Sequence, residues 1–225
     1  MLIDLLKIEK CRHILIVANH DSFANASALY SYILTLHKKV SLFQSDKVGD
    51  ALSFLPWFDK IRDVKVSSAE YVIEMSEETQ NLYTFFQTNK IKINKKMATS
   101  LYMGLLQEHK NWSSKACDGT SFAIASELIA FGAEYQLCRD FYLRRVPLCL
   151  WRLKAKMYAN MQLSKSATLA SLFISDEELQ ATGATLEDAF LITEEVLTLV
   201  HVKEALLCKS DENNRIIKEI QFEKK

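Results

Sequence analysis

Three consecutive residues, Asn19-His20-Asp21, set an amide, an imidazole and a carboxylate directly after the apolar run Ile14-Leu15-Ile16-Val17-Ala18. These groups can hold a hard divalent cation or move a proton. At the carboxyl end of a buried strand they would line the crevice in which open α/β folds do their chemistry. The plainer role for Asp21 is to cap the following helix by accepting from the N–H groups near Phe23 and Ala24. A second grouping, His109 with Cys117-Asp118, has the residue types of a Cys/His nucleophile. Nothing in its spacing brings the two within hydrogen-bond reach, and Asp118 reads as the N-cap of a helix over 119–131. Basic residues at 90, 92, 95, 96, 139, 144, 145, 152, 154 and 156 could follow a phosphate backbone, or be solvated helix faces. Trp57, Trp112 and Trp151 read as core or interface anchors.

The elements that must position these groups follow from the period of the apolar residues. Residues 14–18 read as a strand buried on both faces, 19–22 as a polar turn and 23–36 as a helix. With a second strand over 40–43, residues 13–43 form a β-α-β unit. A short helix precedes it over 1–11, and 44–66 are less regular. Ser67-Ser68-Ala69-Glu70 has the pattern of a capping box and predicts a helix carrying Val72, Ile73 and Met75. Further helices are predicted over 78–88, 93–107, 118–131 with Gly132 as a left-handed cap, 134–145, and 148–163 after Pro147. A strand over 167–174 leads to an N-cap at Ser175. A helix over 185–200 and strands over 202–208 and 215–222, around a turn at 210–214, complete the pattern. The fold class is therefore α/β: a shortened parallel sheet with a large helical part, then a truncated small α+β domain.

Composition narrows the setting. The 225 residues carry 28 basic and 28 acidic side chains, so no net charge would draw in a polyanion. The five cysteines (11, 117, 138, 149, 208) form no C-x-x-C pair and read as reduced thiols, which points to the cytoplasm. No apolar run approaches the roughly 18 residues needed to span a bilayer. The N-terminal segment, with Asp4 and Glu9, lacks a signal-peptide pattern, so no membrane association is expected.

Six segments, in this order, carry a family resemblance: ILIVANHDSFANASALY, FLPWFDKIR, SSAEYVIEM, ATSLYMGLLQ, SFAIASELIAFGAE and ISDEELQATGATLEDAFLI. From about Arg12 to Phe222 the chain resembles the DHH/DHHA1 phosphoesterase family, in its oligoribonuclease and phosphoadenosine-phosphate phosphatase branch. The resemblance implies phosphoester hydrolysis by two metal ions, usually manganese, held by Asp and His from four motifs. In the first motif, Asn19 and Asp21 fall on its two aspartates with His20 between them, and its histidine falls near Val17. The second and third motifs, an Asp and the Asp-His-His triplet, should lie between FLPWFDKIR and SSAEYVIEM. Only Asp63-Val64-Lys65-Val66 stands there, so both read as deleted. The fourth motif places Glu108 at its aspartate, beside His109. The glycine-rich phosphate loop of the second domain has no counterpart, Gly183 being the last glycine of the chain.

The vestigial metal ligands are then Asp21, Glu108, His20 and Asn19. No catalytic residue and no cofactor is expected, with manganese or magnesium the ion if activity remains. Residues 1–146 would form a degenerate DHH-like domain, 147–163 a connecting helix and 164–225 a truncated second domain. Two functions stay open: a non-catalytic binding or assembly protein, and a metal-dependent phosphoesterase or exonuclease acting on short oligonucleotides or nucleotide phosphates. Lost strands would leave sheet edges to cover. A second copy or a protein partner is therefore expected, with Leu148, Cys149, Leu150 and Trp151 as contacts and a nucleotide or nucleic acid as the other candidate ligand.

Overall fold

β1 (His13–Ala18) has no exposed side chain, which is the burial expected of a strand covered on both faces. In the computed structural model, which describes residues 3–76, 78–144, 146–210 and 216–223, the chain divides into two units, Met1–Arg145 and Val146–Lys225. In the first unit β1 pairs in parallel with β2 (Lys39–Gln44) on one side. β4 (Tyr71–Glu74) pairs in parallel on its other side. β3 (Ile61–Arg62) extends the sheet beyond β2, giving the order β3-β2-β1-β4. His13 opens β1 with both ring nitrogens engaged: Nε2 lies 2.9 Å from Ser41 Oγ and Nδ1 3.2 Å from the Ser68 carbonyl. This buried histidine ties the start of β1 to β2 and to the loop entering β4.

The helix predicted around Val72, Ile73 and Met75 is a strand. Glu70 does not close a capping box; its carboxylate accepts the Arg12 N–H at 2.9 Å, across the sheet. Tyr71-Val72-Ile73 is aromatic and β-branched, and tertiary pairing with β1 outweighs a four-residue cap signal.

α1 (Leu5–Lys10) precedes β1, and α2 (Phe23–Thr35) is buried from Phe23 to Ile33. Its small residues, among them Ala24, Ser27, Ala28 and Ser31, let it lie between the sheet and α4 (Lys95–Glu108). Ser27 Oγ sits 2.9 Å from Ser100 Oγ across that contact, and Trp57 Nε1 donates to Ser31 Oγ at 2.8 Å. α3 (Thr79–Thr88), α5 (Gly119–Ala130) and α6 (Tyr135–Arg144) pack on α4. Asp118 caps α5 by accepting the Ser121 N–H at 2.9 Å, and Gly132 takes φ +92° beyond its end.

Tyr83 on α3 donates its hydroxyl to Glu127 on α5 and accepts from Gln87 Nε2 at 2.8 Å. Burial, followed by the bond to Glu127, pushes its phenol up to about 12. A raised folded-state value stabilises the fold fully below the ordinary phenol range, near 10, and the contribution disappears as pH rises through 12. Tyr83→Phe should therefore unfold at lower urea than the wild type at pH 8, and the gap should narrow between pH 10 and 12.

In the second unit α7 (Leu148–Ala159) precedes β5 (Gln162–Ser164) and β6 (Leu169–Ser175). α8 (Asp176–Thr182), α9 (Leu186–Val196), β7 (Glu204–Ser210) and β8 (Ile216–Glu223) follow. The sheet order is β5-β6-β7-β8, with β6 and β7 parallel and the outer pairs antiparallel. The helix expected to connect the two parts packs inside this unit, where Leu153 and Met157 are fully buried. It stops at Ala159, and β5 occupies residues assigned to it from sequence. Leu148 and Trp151 on the same helix remain exposed. The turn expected at 210–214 lies almost wholly outside the described residues. A parallel four-stranded sheet with its helices makes the class α/β, as expected. No described helix is long and apolar enough to cross a membrane. The five cysteines are free thiols, and burial pushes that of Cys138 up to about 12.

Candidate functional site

β2 and β4 lie on opposite sides of β1, so the chain reverses direction across the sheet at β1. The carboxyl ends of β1 and β4 therefore flank the crevice that such a switch opens. Asn19, His20 and Asp21 emerge from β1 at this point, and Met75, Ser76, Glu78 and Thr79 follow β4. The end of α4 brings Gln107 and Glu108 to the same place: Gln107 Nε2 donates to the His20 carbonyl at 3.4 Å.

Three of the four candidate ligands, Asn19, His20 and Glu108, use acceptors internally. Asn19 Oδ1 accepts from Ser22 N at 2.9 Å and from Ser22 Oγ at 2.8 Å. This closes the turn into α2, the task expected of Asp21; no side chain caps α2 directly. His20 Nδ1 accepts the Gly49 N–H at 3.0 Å. In the neutral ring the proton must then sit on Nε2, so the remaining nitrogen is a donor and has no lone pair for a metal. Gly49 lets the backbone approach the ring closely: a Cβ would lie 3.1 Å from His20 Cε1 and 3.2 Å from Nδ1, so the ring would have to shift slightly.

Glu108 Oε1 accepts the Thr79 N–H at 2.7 Å, the Thr79 hydroxyl at 2.7 Å and Asn25 Nδ2 at 3.5 Å. Two short donors meet the two lone pairs of that oxygen, the Thr79 hydroxyl having Asn25 Oδ1 at 3.0 Å as its other acceptor. Glu78, the N-cap of α3, supplies no side-chain bond, so Glu108 performs that function from α4. Its carboxylate also faces the positive end of the α3 dipole. Asp21 is exposed; together with burial, the larger cause, its charge raises the Tyr142 phenol above the ordinary range.

Asn25, Thr79 and Gln107 were not singled out from sequence. The available signal was Gly104, an isolated glycine inside a helical pattern, which often marks close backbone approach. A Cβ there would lie 2.4 Å from Thr79 Oγ1 and 2.7 Å from Asn25 Oδ1.

The other sequence candidates are placed elsewhere. His109 stacks on Trp112, ring centroids 5.8 Å apart, and Phe122 stacks on Trp112 at 5.0 Å. Asp118 is held below the ordinary carboxylate range chiefly by its bonds from Ser121, as a helix cap should be. Of the basic residues, Lys95 pairs with Glu134, Arg139 with Asp140 and Lys154 with Glu195. Lys96 Nζ sits 4.3 Å from the centroid of the Trp57 ring. Arg145 and the side chain of Arg144 lie outside what is described.

The donor set does not fit the metal pair that the family resemblance implies. Manganese favours near-octahedral hard ligands with negative charge among them. Here Asn19 offers an amide oxygen already bonded to Ser22, His20 a donor nitrogen, and Glu108 a carboxylate with one oxygen bonded to Thr79. That leaves Asp21 and the other Glu108 oxygen as anionic donors, too few for a metal pair. Among the described residues, no three His, Cys, Asp or Glu side chains gather closely enough to hold an ion.

No family model matches the chain, and no curated protein matches it. Among solved structures it is similar to an exopolyphosphatase-related protein from Bacteroides fragilis, with TM-score 0.74 and 14% identity over 98% of this chain and 82% of that one. The two share a fold. A putative family II inorganic pyrophosphatase from Methanococcus jannaschii covers 88% of this chain and 84% of its own at 9% identity, but its TM-score of 0.35 carries no argument.

Proposed function

We propose that this protein is a degenerate DHH-type phosphoesterase scaffold that acts without catalysis, as a binding or assembly protein. The observation that carries the reading is the bonding of Glu108 Oε1 to Thr79, beside Asn19 bonded to Ser22 and His20 bonded to Gly49. Side chains at the places of family ligands hold the turn after β1 and the start of α3 together. The fold shared with an exopolyphosphatase-related protein supports the scaffold, and the Asp21 carboxylate with the other Glu108 oxygen is what remains for the metal-dependent alternative.

The test is turnover. With manganese, and separately magnesium, the protein should release no nucleotide from a short RNA and no phosphate from phosphoadenosine phosphate above a protein-free control. Turnover abolished by both Asp21→Ala and Glu108→Gln would overturn the reading in favour of a phosphoesterase acting on such substrates.

A further inference from the structure

Away from the crevice, toward the amino end of β2, the sheet edge holds a cavity of about 170 Å³. Ser41 of β2, Arg62 of β3, Asp59 and Lys60 just before β3, and Tyr30 of α2 line it. Tyr30 is 7% exposed, and its ring packs on Trp57 with centroids 5.2 Å apart. Burial raises its phenol above the ordinary range, and the charges that act on it next are Lys60, Arg62 and Asp59, all on the cavity wall. The hydroxyl therefore ends at the cavity. Among the described residues it has no hydrogen-bond partner, and the Arg62 guanidinium has neither a hydrogen bond nor an ion pair. Nearly buried hydroxyls are normally bonded, so a donor left over here points to an acceptor from outside the chain.

The charges select that acceptor. Lys60 Nζ pairs with the Asp59 carboxylate at 3.0 Å, so these two cancel and Arg62 leaves the cavity with one net positive charge. Ser41 adds no donor. His13 Nδ1 faces the Ser68 carbonyl and must carry the ring proton, so Nε2 takes the Ser41 hydroxyl proton at 2.9 Å.

We propose that this cavity binds a small organic carboxylate, as a monoanion, through Arg62 and the Tyr30 hydroxyl. A guanidinium fork matches a planar carboxylate with two parallel N–H···O bonds, and Tyr30 Oη donates a third. A phosphate monoester carries a charge of about −1.5 to −2 at pH 7 and would set its second charge against Asp59. The volume admits a chain of a few carbons, being below the roughly 300 Å³ at which sites begin to take drug-sized molecules. The cavity is separate from the crevice, so its occupancy leaves the roles of Asp21 and Glu108 as they are.

Nuclear magnetic resonance titration with acetate and with propionate, at constant ionic strength, tests this. The backbone amides of Ser41 and Arg62 should shift and saturate with a Kd of about 1 mM, the scale open to ligands of so few atoms. Arg62→Gln should abolish the saturation. Tyr30→Phe should weaken it about tenfold, the loss of one hydrogen bond to a charged group. Without ligand, Tyr30→Phe should unfold at the same urea concentration as the wild type, because the hydroxyl it removes bonds to nothing in the protein. Methyl phosphate should bind the wild type more weakly than acetate does, and Asp59→Asn should strengthen methyl phosphate more than acetate. A wild type with no saturable shift would overturn the proposal, as would saturation unchanged in Arg62→Gln and Tyr30→Phe. Methyl phosphate ahead of acetate on the wild type would overturn the choice of a carboxylate. A ligand-free Tyr30→Phe protein that is less stable than the wild type would show the hydroxyl already bonded within the chain, and would overturn the proposal too.

Discussion

Replacing Gly104 by alanine should destabilise the first unit by about 2 kcal/mol, within the range for overpacking a buried contact. In most helices the same change stabilises, by up to about 1 kcal/mol, because alanine loses less backbone entropy. The sign reverses here because the new Cβ falls 2.4 Å from Thr79 Oγ1 and 2.7 Å from Asn25 Oδ1. Neither neighbour can withdraw freely. Thr79 is fully buried and Asn25 nearly so, and both hold short side chains against the Glu108 carboxylate. Turning the Thr79 hydroxyl away relieves the contact and breaks a 2.7 Å bond. The urea midpoint should fall with the slope unchanged. A midpoint equal to or above the wild type would show that α4 does not approach α2 and α3 so closely.

Glu108→Ala and Glu108→Gln should separate clearly. Alanine leaves the Thr79 N–H without its acceptor, while the hydroxyl keeps Asn25 Oδ1 at 3.0 Å, a loss of about 1–3 kcal/mol for a buried group. Glu108 is itself exposed, so water can reach the vacated position and the lower half of that range is expected. Glutamine keeps an oxygen at the same reach. It gives up only the charge facing the α3 dipole, about 0.3–1 kcal/mol. Denaturation of the three proteins in parallel measures this. Equal stability in all three would mean that the carboxylate does not hold α3, and would free it for another role.

Much of this fold was legible in the sequence, because long elements repeat their period often enough to identify themselves. The uniform apolar run at 14–18, the helix from Phe23 and the helices through 88, 108 and 130 are of that kind. The segment at 67–75 was misread because four residues cannot distinguish a period of 2 from one of 3.6. Ser67 and Glu70 stand at the spacing of a cap, yet the partner of Glu70 is Arg12, 58 residues away.

That misreading carried through to the site. With β4 taken as a helix, the strand end beside β1 went unseen, and so did Thr79 and its neighbour Asn25. Asp21 was assigned the cap that Asn19 forms, since both residue types close such turns and only the backbone path decides between them. The family resemblance placed Glu108 among the candidate ligands, with His109 beside it in the chain. In a helix their directions differ by about 100°, and one turns into the crevice while the other stacks on Trp112.

The reading rests finally on whether the crevice leaves acceptors for a cation. Manganese paramagnetic resonance measures this directly, because the free hexaaqua ion gives a strong signal that binding removes. With protein and manganese mixed in equal amounts at a tenth millimolar or so, the free-ion signal should match that of buffer alone. Stoichiometric loss of that signal, restored by Asp21→Asn and by Glu108→Gln, would contradict the reading and return these residues to a working metal centre.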